Sequence, residues 1–384
     1  MTLTTLTAAP ISVPLAATDS DFRELWNGAL SRSRYDHLHQ SYEWAVVKRQ
    51  FGWEVEFLAL AKDGGPAVGA LVLAKPLAGG LLRLATVSGG PFWLPEEERH
   101  LPDLFALLLD YCRRKRVILC RIHIPCPVQD FSGVAPYLPA ASVCLPYVWS
   151  YWNVPRPLMV LDIGGTIEEI LARMHHKTRY RYRTAIRRGV TVIEGGIEEV
   201  AEFTRLMHQM ARRKKIPVRE QAYFEALLNA FGPGGSVLFF ARHEGRVLGG
   251  QLAVRAGRRA YALYSAVEHA GNLNPSEALD VATIEWAKER GCVALDLGGT
   301  CTNWPPAPEH KGYGVYDYKR RLGAATVLLA PYVDLAAQRV VYRAARLAED
   351  ILLPLAVETG WGRFRVIYER LWYGDKAGSH SVEV

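Results

Sequence analysis

The stretch FLALAKDGGPAVGALVLA, residues 57–74, decides the fold, because its pattern returns later in the chain as VLFFARHEGRVLGGQLAV, residues 237–254. Each stretch predicts a β-strand, a polar turn that contains glycine, and a second β-strand. The two copies align at a constant offset of 180 residues, which places Gly69 opposite Gly249. The sequence therefore indicates two related hairpins.

The segments downstream of the two hairpins also match each other. LFALLLDYCRRKRVILCRIHIP, residues 104–125, and LDVATIEWAKERGCVALDLGGT, residues 279–300, each predict an amphipathic helix, a break and a buried strand. Chance similarity between two ordinary hairpins is the alternative, and the shared order of elements argues against it. We predict an α/β protein with two copies of one unit.

The predicted organisation has four parts. We expect an N-terminal extension, a first unit, a second unit and a C-terminal part with helices over 333–353 and 363–373 that packs on the second unit. These parts cover residues 1–20, 21–150, 151–331 and 332–384.

Composition limits the class of protein without choosing a partner. With 384 residues, of which 49% are hydrophobic and 22% charged, the chain is long enough for two globular cores. A net charge of +7 permits nucleic acid, anionic lipid or a phosphorylated substrate. The N-terminus lacks the features of a signal peptide, and no apolar run reaches the length of a membrane span. The six cysteines form no CxxC pair, so we expect no metal site.

The segment MHHKTRYRYRTAIRRG, residues 174–189, sets six Lys/Arg and two tyrosines together without an acid. Apolar spacing predicts a single helix that starts after Thr166 and stops at Gly189. Such a helix carries arginines four residues apart on one face. Because no acidic residue balances this charge, the face indicates a polyanionic partner; a merely solvated basic face is the alternative.

Four segments together resemble the Fem-type peptidyltransferases (FemABX), whose members have a pair of acyltransferase folds of the GNAT kind. They are HQSYEWAVVKRQFGW (39–53), KTRYRYRTAIRRGV (177–190), NPSEALDVATIEWAKERGCVALDLGG (274–299) and GYGVYDYKRRLG (312–323). The resemblance implies two tandem GNAT-like domains. It also implies transfer of an amino acid from aminoacyl-tRNA to the amine of a lipid-linked or nucleotide-linked peptidoglycan precursor peptide, with no cofactor.

The resemblance also implies roles for individual residues. Tyr318 and Lys319 would face the tRNA acceptor end, with Lys319 as the cation near the oxyanion; a lysine that protects an edge strand is the alternative. Residues expected on the acceptor side are Lys48, Trp44, Arg179, Arg183 and Tyr182, where Lys48 and the arginines would hold a diphosphate and Trp44 would orient its helix from the core. Residues expected to contact tRNA are Lys177, Arg187, Arg320 and Arg321.

One segment departs from the family pattern. Many members have a Gly-Pro turn in the first domain that is followed closely by an acidic residue. Here the turn reads SGGPFWLPEEE, residues 88–98, with Phe92 and Trp93 in that place and Glu96 as the nearest acid. We therefore name no catalytic base: the tRNA or water removes the proton, or the acceptor substrate differs from that of the family.

Three other functions remain open. A CoA-dependent N-acyltransferase would use the same fold, but HAGNLNPSEAL, residues 269–279, lacks the glycine-rich loop that holds a pyrophosphate. The second alternative is a non-catalytic module that binds RNA or anionic lipid. The third is tRNA-dependent transfer with a secondary-metabolite amine as the acceptor. We expect a cytoplasmic monomer, in peripheral contact with the inner face of the membrane, whose Lys48, Arg179 and Lys319 converge on one cleft.

Overall fold

The chain divides into two compact units. The first contains residues 1–155 and 329–384, and the second contains residues 156–328. The computed structural model describes residues 10–15, 19–62, 64–145, 157–214, 216, 218–268, 270–300, 304–310 and 312–347. The predicted boundary after residue 150 and the predicted helix at 363–373 lie outside these residues.

The described part of the first unit has one sheet with helices on it. Its strands are β1 (Pro10–Pro14), β2 (Glu54–Lys62), β3 (Gly65–Leu77), β4 (Leu82–Ser88), β5 (Phe92–Trp93), β6 (Val117–His123), β7 (Ser142–Cys144) and β15 (Val333–Leu335). Its α-helices are α1 (Ser20–Arg32), α2 (Tyr42–Gln50), α3 (Leu101–Arg114) and α10 (Arg339–Leu347). The strand order is β1-β2-β3-β4-β6-β15-β7, and β5 pairs with β3.

The second unit has a sheet of its own, in the order β14-β8-β13-β12-β11-β10-β9. Its strands are β8 (Leu158–Asp162), β9 (Thr191–Gly195), β10 (Ser236–His243), β11 (Arg246–Ala256), β12 (Arg259–Val267), β13 (Ala294–Gly299) and β14 (Ala325–Val327). Its described α-helices are α4 (Ile167–Arg173), α5 (His176–Arg187), α6 (Val200–Lys214), α7 (Gln221–Gly235), α8 (Pro275–Glu289) and α9 (Tyr313–Arg321). Among the helices described in either unit, none has the length and apolar character needed to cross a bilayer.

Both sheets contain the same four-strand motif, which confirms the predicted two-copy α/β architecture. An antiparallel hairpin is followed by a third strand, a helix and a fourth strand parallel to the third: β2-β3-β4-α3-β6 in the first unit and β10-β11-β12-α8-β13 in the second. Each crossover helix buries an apolar face in the core of its unit. Burial of these faces against the sheets stabilises the two cores.

The predicted offset between the hairpins is wrong by one residue. Lys62 pairs with Gly65 and His243 pairs with Arg246, so equivalent residues lie 181 positions apart. The counterpart of Gly69 is therefore Gly250 and not Gly249. Each hairpin has a β-bulge at the equivalent place, between Leu60 and Ala61 in the first and between Ala241 and Arg242 in the second, so the offset of 181 holds along both hairpins.

Residues 332–347 belong to the first unit and not to the second, on which we expected them to pack, and the helix begins at Arg339 and not at residue 333. β15 lies between β6 and β7 and completes the sheet of the first unit. Asp334 of β15 accepts two hydrogen bonds from the guanidinium of Arg121 at 2.8 and 3.0 Å, and accepts a third from Tyr342 of α10. Because Arg121 and Asp334 are 3% and 0% exposed, this buried ion pair anchors the C-terminal segment in the first unit.

The N-terminal segment also contributes to the first sheet. β1 pairs antiparallel with β2, with Pro10 opposite Leu60, where the sequence predicted an extension outside the unit. β1 is at the end of the strand order, so its prolines do not interrupt the sheet.

Candidate active site

In the second unit, the two parallel strands stop pairing before either of them ends. β12 and β13 pair in parallel only from Arg259 opposite Ala294 to Tyr261 opposite Asp296. β12 stays paired with β11 as far as Val267, and β13 continues to Gly299. In the described residues, the backbone of β13 beyond Asp296 is therefore available to groups other than β12.

Lys319 contacts this part of β13 from helix α9. Its Nζ donates hydrogen bonds to the backbone oxygens of Leu297 and Gly299, the second at 2.8 Å. The edge-strand interpretation of Lys319 is wrong, because the residue lies in the last turn of a helix. An ammonium group is thus held where the two parallel strands separate.

Tyr318, the neighbour of Lys319, is bonded to a buried carboxylate that the sequence analysis did not single out. Its hydroxyl donates to Asp280 of α8. Burial raises the pKa of Asp280 to about 6. The hydrogen bond from Tyr318 acts in the opposite direction but is the smaller effect. The signal in the sequence was an aspartate in a largely apolar helix, and that pattern alone does not indicate what the carboxylate contacts.

A second acid, Glu277, lies one turn before Asp280 in α8. Its carboxylate is buried, accepts a hydrogen bond from its own backbone N–H and lies 3.5 Å from the guanidinium of Arg181. Burial is the main cause that raises the pKa of Glu277. Arg181 belongs to the basic segment, so one charge in that segment is balanced by an acid from another element.

The raised pKa of Asp280 predicts a pH-dependent stability. Since this carboxyl holds its proton more tightly in the folded protein than in the unfolded chain, the free energy of unfolding should fall as pH rises from about 4 to about 6, by up to roughly 3 kcal/mol. Asp280→Asn should remove this contribution. Urea unfolding of both proteins at pH 4.5 and 7 measures it, and an identical pH dependence in the two would contradict the assignment.

The basic segment forms two helices and not the single helix that was predicted. α4 begins after Thr166, whose side chain and that of Glu169 form the reciprocal hydrogen bonds of a capping box, as expected for the helix start. Met174 and His175 are extended and separate α4 from α5, and Gly189, with φ of 77°, follows α5. Arg179 fills the break by donating to the backbone oxygens of Ala172 and Met174.

The start of α5 adjoins the end of α9. The backbone N–H of His175 donates to the oxygen of Arg321 at 2.9 Å. The pKa of His175 lies below its usual value because of desolvation and of positively charged neighbours, among them Lys177, Arg320 and Arg321. We call Lys177, Arg320 and Arg321 the cationic junction. Both of its arginines also pair with Asp317, at 2.7 and 2.6 Å.

Other residues of α5 are not part of this junction. Arg187 lies ten residues after Lys177, about 15 Å along the helix, and donates to Thr184. Arg183 is exposed, whereas Tyr182 packs against the core of the second unit and burial raises its pKa. The structure therefore groups three of the four residues predicted to bind tRNA and places Tyr182 partly in the core.

In the first unit, Lys48 lies among aromatic rings. Its Nζ is 5.0 Å from the centroid of Trp44 and 5.5 Å from that of Trp53, distances typical of cation–π contacts. The Nζ of Lys75 is 5.8 Å from the ring of Trp53. Trp44 is 7% exposed, so its expected place in the core is confirmed. Lys48 belongs to the first unit and Arg179 and Lys319 to the second, and their convergence on one cleft stays a prediction.

The turn at residues 88–98, which lacks the acidic residue of the Fem-type pattern, is well packed. Phe92 and Trp93 form the buried strand β5, and Glu96 is exposed. An added Cβ at Gly90 would lie 2.4 Å from the side chain of Gln40, which itself bonds the backbone of Leu71. The aromatic residues that replace the acid are thus used in packing.

The two units of the chain match two different families of known proteins. Residues 29–133 match the FemAB family, and residues 175–320 match an acetyltransferase (GNAT) domain. The lipid II:glycine glycyltransferase of Staphylococcus saprophyticus is 22% identical, over 74% of this chain and 85% of that protein. The UDP-N-acetylmuramoylpentapeptide-lysine N(6)-alanyltransferase of Weissella viridescens is 29% identical, over 72% of this chain and 83% of that protein.

A solved structure has the same fold. The crystal structure of FemX superimposes with a TM-score of 0.77 at 18% identity, over 84% of this chain and 98% of that one. Tandem acetyltransferase-like units are thus found in sequence and in structure. The chain is thus similar in sequence and in fold to the FemAB family, and it is an aminoacyltransferase.

Proposed function

We propose that this protein transfers an amino acid from aminoacyl-tRNA to the amine of a peptidoglycan precursor peptide. The observation that carries the proposal is the ammonium group of Lys319, held on β13 where β12 and β13 separate. The two curated relatives described above, by their names, act on lipid II and on UDP-N-acetylmuramoylpentapeptide. The reaction takes place in the cytoplasm, and at the inner face of the membrane when the acceptor is lipid-linked.

The chemistry requires little beyond positioning. The neutral amine attacks the ester carbonyl carbon, a C–N bond forms, and the C–O bond to the ribose breaks. The amine loses a proton and the departing ribose oxygen gains one, through water or the RNA. Placing the two reactants together can supply about 7 to 11 kcal/mol of the barrier. A fixed cation near the oxyanion adds roughly 3 to 4 kcal/mol, and Lys319 has that role.

Helix α8 favours an RNA-borne ester over acyl-CoA. CoA enzymes of this fold need free N–H groups at a helix N-terminus for the pyrophosphate. α8 begins with Pro275, which has no N–H, and the carboxylate of Glu277 accepts from its own backbone N–H in the first turn. A pyrophosphate at this helix end would therefore meet a negative charge.

The acceptor's diphosphate is assigned to the first unit. Lys48 and Lys75 bring two ammonium groups within 6 Å of one indole ring, that of Trp53. Compact cations of this kind bind phosphate as point charges. Arg179 and Arg183 of the second unit stay predicted phosphate ligands, and Arg183 is exposed.

The cationic junction is assigned to the tRNA backbone, which predicts a salt-dependent effect. The triple variant Lys177→Gln, Arg320→Gln, Arg321→Gln should raise the KM for aminoacyl-tRNA at least about tenfold at moderate salt, because three phosphate contacts are lost. The slope of log KM against log salt should fall by up to about 2. Steady-state kinetics at several salt concentrations measure both quantities.

A control with the same loss of charge comes from the first unit. Arg113, Arg114 and Lys115 follow one another at the end of α3. Their triple replacement by glutamine should leave the KM and its salt slope unchanged. Equal effects from the two triple variants would mean that only net charge attracts the RNA.

The deciding experiment supplies purified protein with a pool of labelled aminoacyl-tRNAs and either a lipid-linked or a nucleotide-linked muropeptide. We expect transfer of label to the muropeptide, and no transfer after the tRNA is digested with ribonuclease. Transfer that survives ribonuclease and requires acetyl-CoA would instead establish a CoA-dependent enzyme. Tight RNA binding without transfer from any aminoacyl-tRNA would establish a binding module.

A further inference from the structure

Helix α9 carries Lys319 but has few features that fix its orientation. It has nine residues, begins after Gly312 without a side-chain cap and contains no fully buried residue. Adjacent residues of an α-helix point about 100° apart around its axis. A restraint on the side chain of Tyr318 therefore also restrains the direction in which Lys319 points.

The hydroxyl of Tyr318 provides such a restraint through a buried polar chain. It donates to Asp280, which also receives a hydrogen bond from the side chain of Gln251. Gln251 in turn donates to Thr283 at 2.8 Å, and Thr283 donates to the backbone oxygen of Leu279 at 2.9 Å.

This series of hydrogen bonds connects three elements of the second unit. Gln251 lies on β11, Asp280 and Thr283 lie on α8, and Tyr318 lies on α9. The residues of this series on β11 and α8 are at most 7% exposed. The loss of any one of these hydrogen bonds would therefore leave a buried polar group without a partner, at a cost in folding free energy. The position of the Asp280 carboxylate is thus determined by the core of the unit.

We propose that Asp280 and Tyr318 are positioning residues for Lys319. Asp280, fixed by Gln251, holds the hydroxyl of Tyr318, and this bond sets the rotation of α9 that places the Lys319 ammonium on the oxygens of Leu297 and Gly299. The inference rests on the proposed role of Lys319 in transfer. It assigns no proton transfer to Asp280.

Removal of a single hydroxyl tests the inference. Tyr318→Phe should lower kcat roughly tenfold and leave the KM for aminoacyl-tRNA nearly unchanged, since a small misplacement of a reacting group costs rate. Tyr316→Phe is the matched control, because Tyr316 lies on the same helix and packs against the same core. It should keep the rate of the unaltered protein. A loss in Tyr316→Phe as large as that in Tyr318→Phe would overturn the inference.

Two variants of Asp280 separate positioning from acid–base chemistry. Asp280→Asn keeps an oxygen that accepts from Tyr318 and should retain transfer within about threefold, whereas Asp280→Ala should match Tyr318→Phe. If Asp280→Asn loses as much activity as Asp280→Ala, the carboxylate handles a proton and the positioning role is overturned. Thermal unfolding identifies any variant that does not fold, and Asp280→Asn still decides the question when Asp280→Ala does not.

A double-mutant cycle shows whether Tyr318 acts through Lys319. In the Lys319→Met background, Tyr318→Phe should change kcat by less than about twofold, because the group that it positions is gone. A further tenfold loss would overturn the inference. If Lys319→Met itself keeps full activity, the proposed role of Lys319 in transfer fails, whatever Tyr318→Phe does. If Lys319→Met is impaired and Tyr318→Phe is fully active, only the positioning role fails.

Discussion

Replacing Lys319 by methionine should lower kcat about 10²- to 10³-fold, with a much smaller change in the KM for aminoacyl-tRNA. Methionine keeps most of the length of the side chain and removes the ammonium group that β13 holds beside Leu297 and Gly299. A cation needed only for the oxyanion contributes to the transition state more than to the bound ester. Single-turnover transfer from labelled aminoacyl-tRNA measures this loss directly.

Lys288 offers a matched control for this substitution. Its Nζ also donates to two backbone oxygens of the second unit, those of Ile163 and Gly165, but it lies at the C-terminal end of α8. Lys288→Met should lower the free energy of unfolding about as much as Lys319→Met does, since a hydrogen bond to a charged group contributes about 1.5 to 3 kcal/mol. It should leave kcat within about threefold of that of the unaltered protein. Full transfer activity in Lys319→Met would show that the ammonium group is not needed for transfer and would overturn the proposed role of Lys319.

The replacement of Asp334 by alanine should destabilise the first unit by about 3 to 5 kcal/mol. The substitution leaves the guanidinium of Arg121 buried without its carboxylate and removes the acceptor of the Tyr342 hydroxyl. α10 should then detach at lower denaturant concentration than the rest of the unit. Urea unfolding followed by tryptophan fluorescence gives the free energy of unfolding.

An exposed ion pair of the same unit serves as the comparison. Asp110→Ala breaks the pair of Asp110 with Arg114, whose side chains are 56% and 51% exposed. It should cost less than about 1 kcal/mol, because water screens and solvates both partners. Similar losses in the two variants would mean that burial does not control the energy of the Arg121 pair.

The α/β repeat could be predicted because its signals are local. Alternation of apolar residues predicts each hairpin, and the turn of the second one, with positive φ at Glu244 and Gly245, suits the glycine that the sequence has there. The helices α3 and α8 follow from apolar spacing over about four turns. The offset was wrong by one residue because the alignment matched Gly65 with Gly245, whereas the pairs that close the turns, Lys62 with Gly65 and His243 with Arg246, make Gly65 the counterpart of Arg246.

The candidate site was predicted in part for the same reason. Lys319, Arg320 and Arg321 were singled out because they share one short motif, and Lys177 because it belongs to the basic segment. That Lys177 lies near Arg320 and Arg321 depends on tertiary structure. The break at Met174 was missed, since neither proline nor glycine marks it and Arg179 satisfies the carbonyls there. Asp280 was missed because its partner, Tyr318, lies 38 residues away.

By itself, the sequence determined the two hairpins, the helices α3 and α8, the two-copy plan and the basic character of α5, all of which depend on residues a few positions apart. Only the tertiary structure decided that β15 completes the first sheet, more than 200 residues after β6, and that Asp280 meets Tyr318. These contacts join residues that share no local pattern. Their free energy comes from the burial of paired polar groups, which exists only after the distant segments have packed.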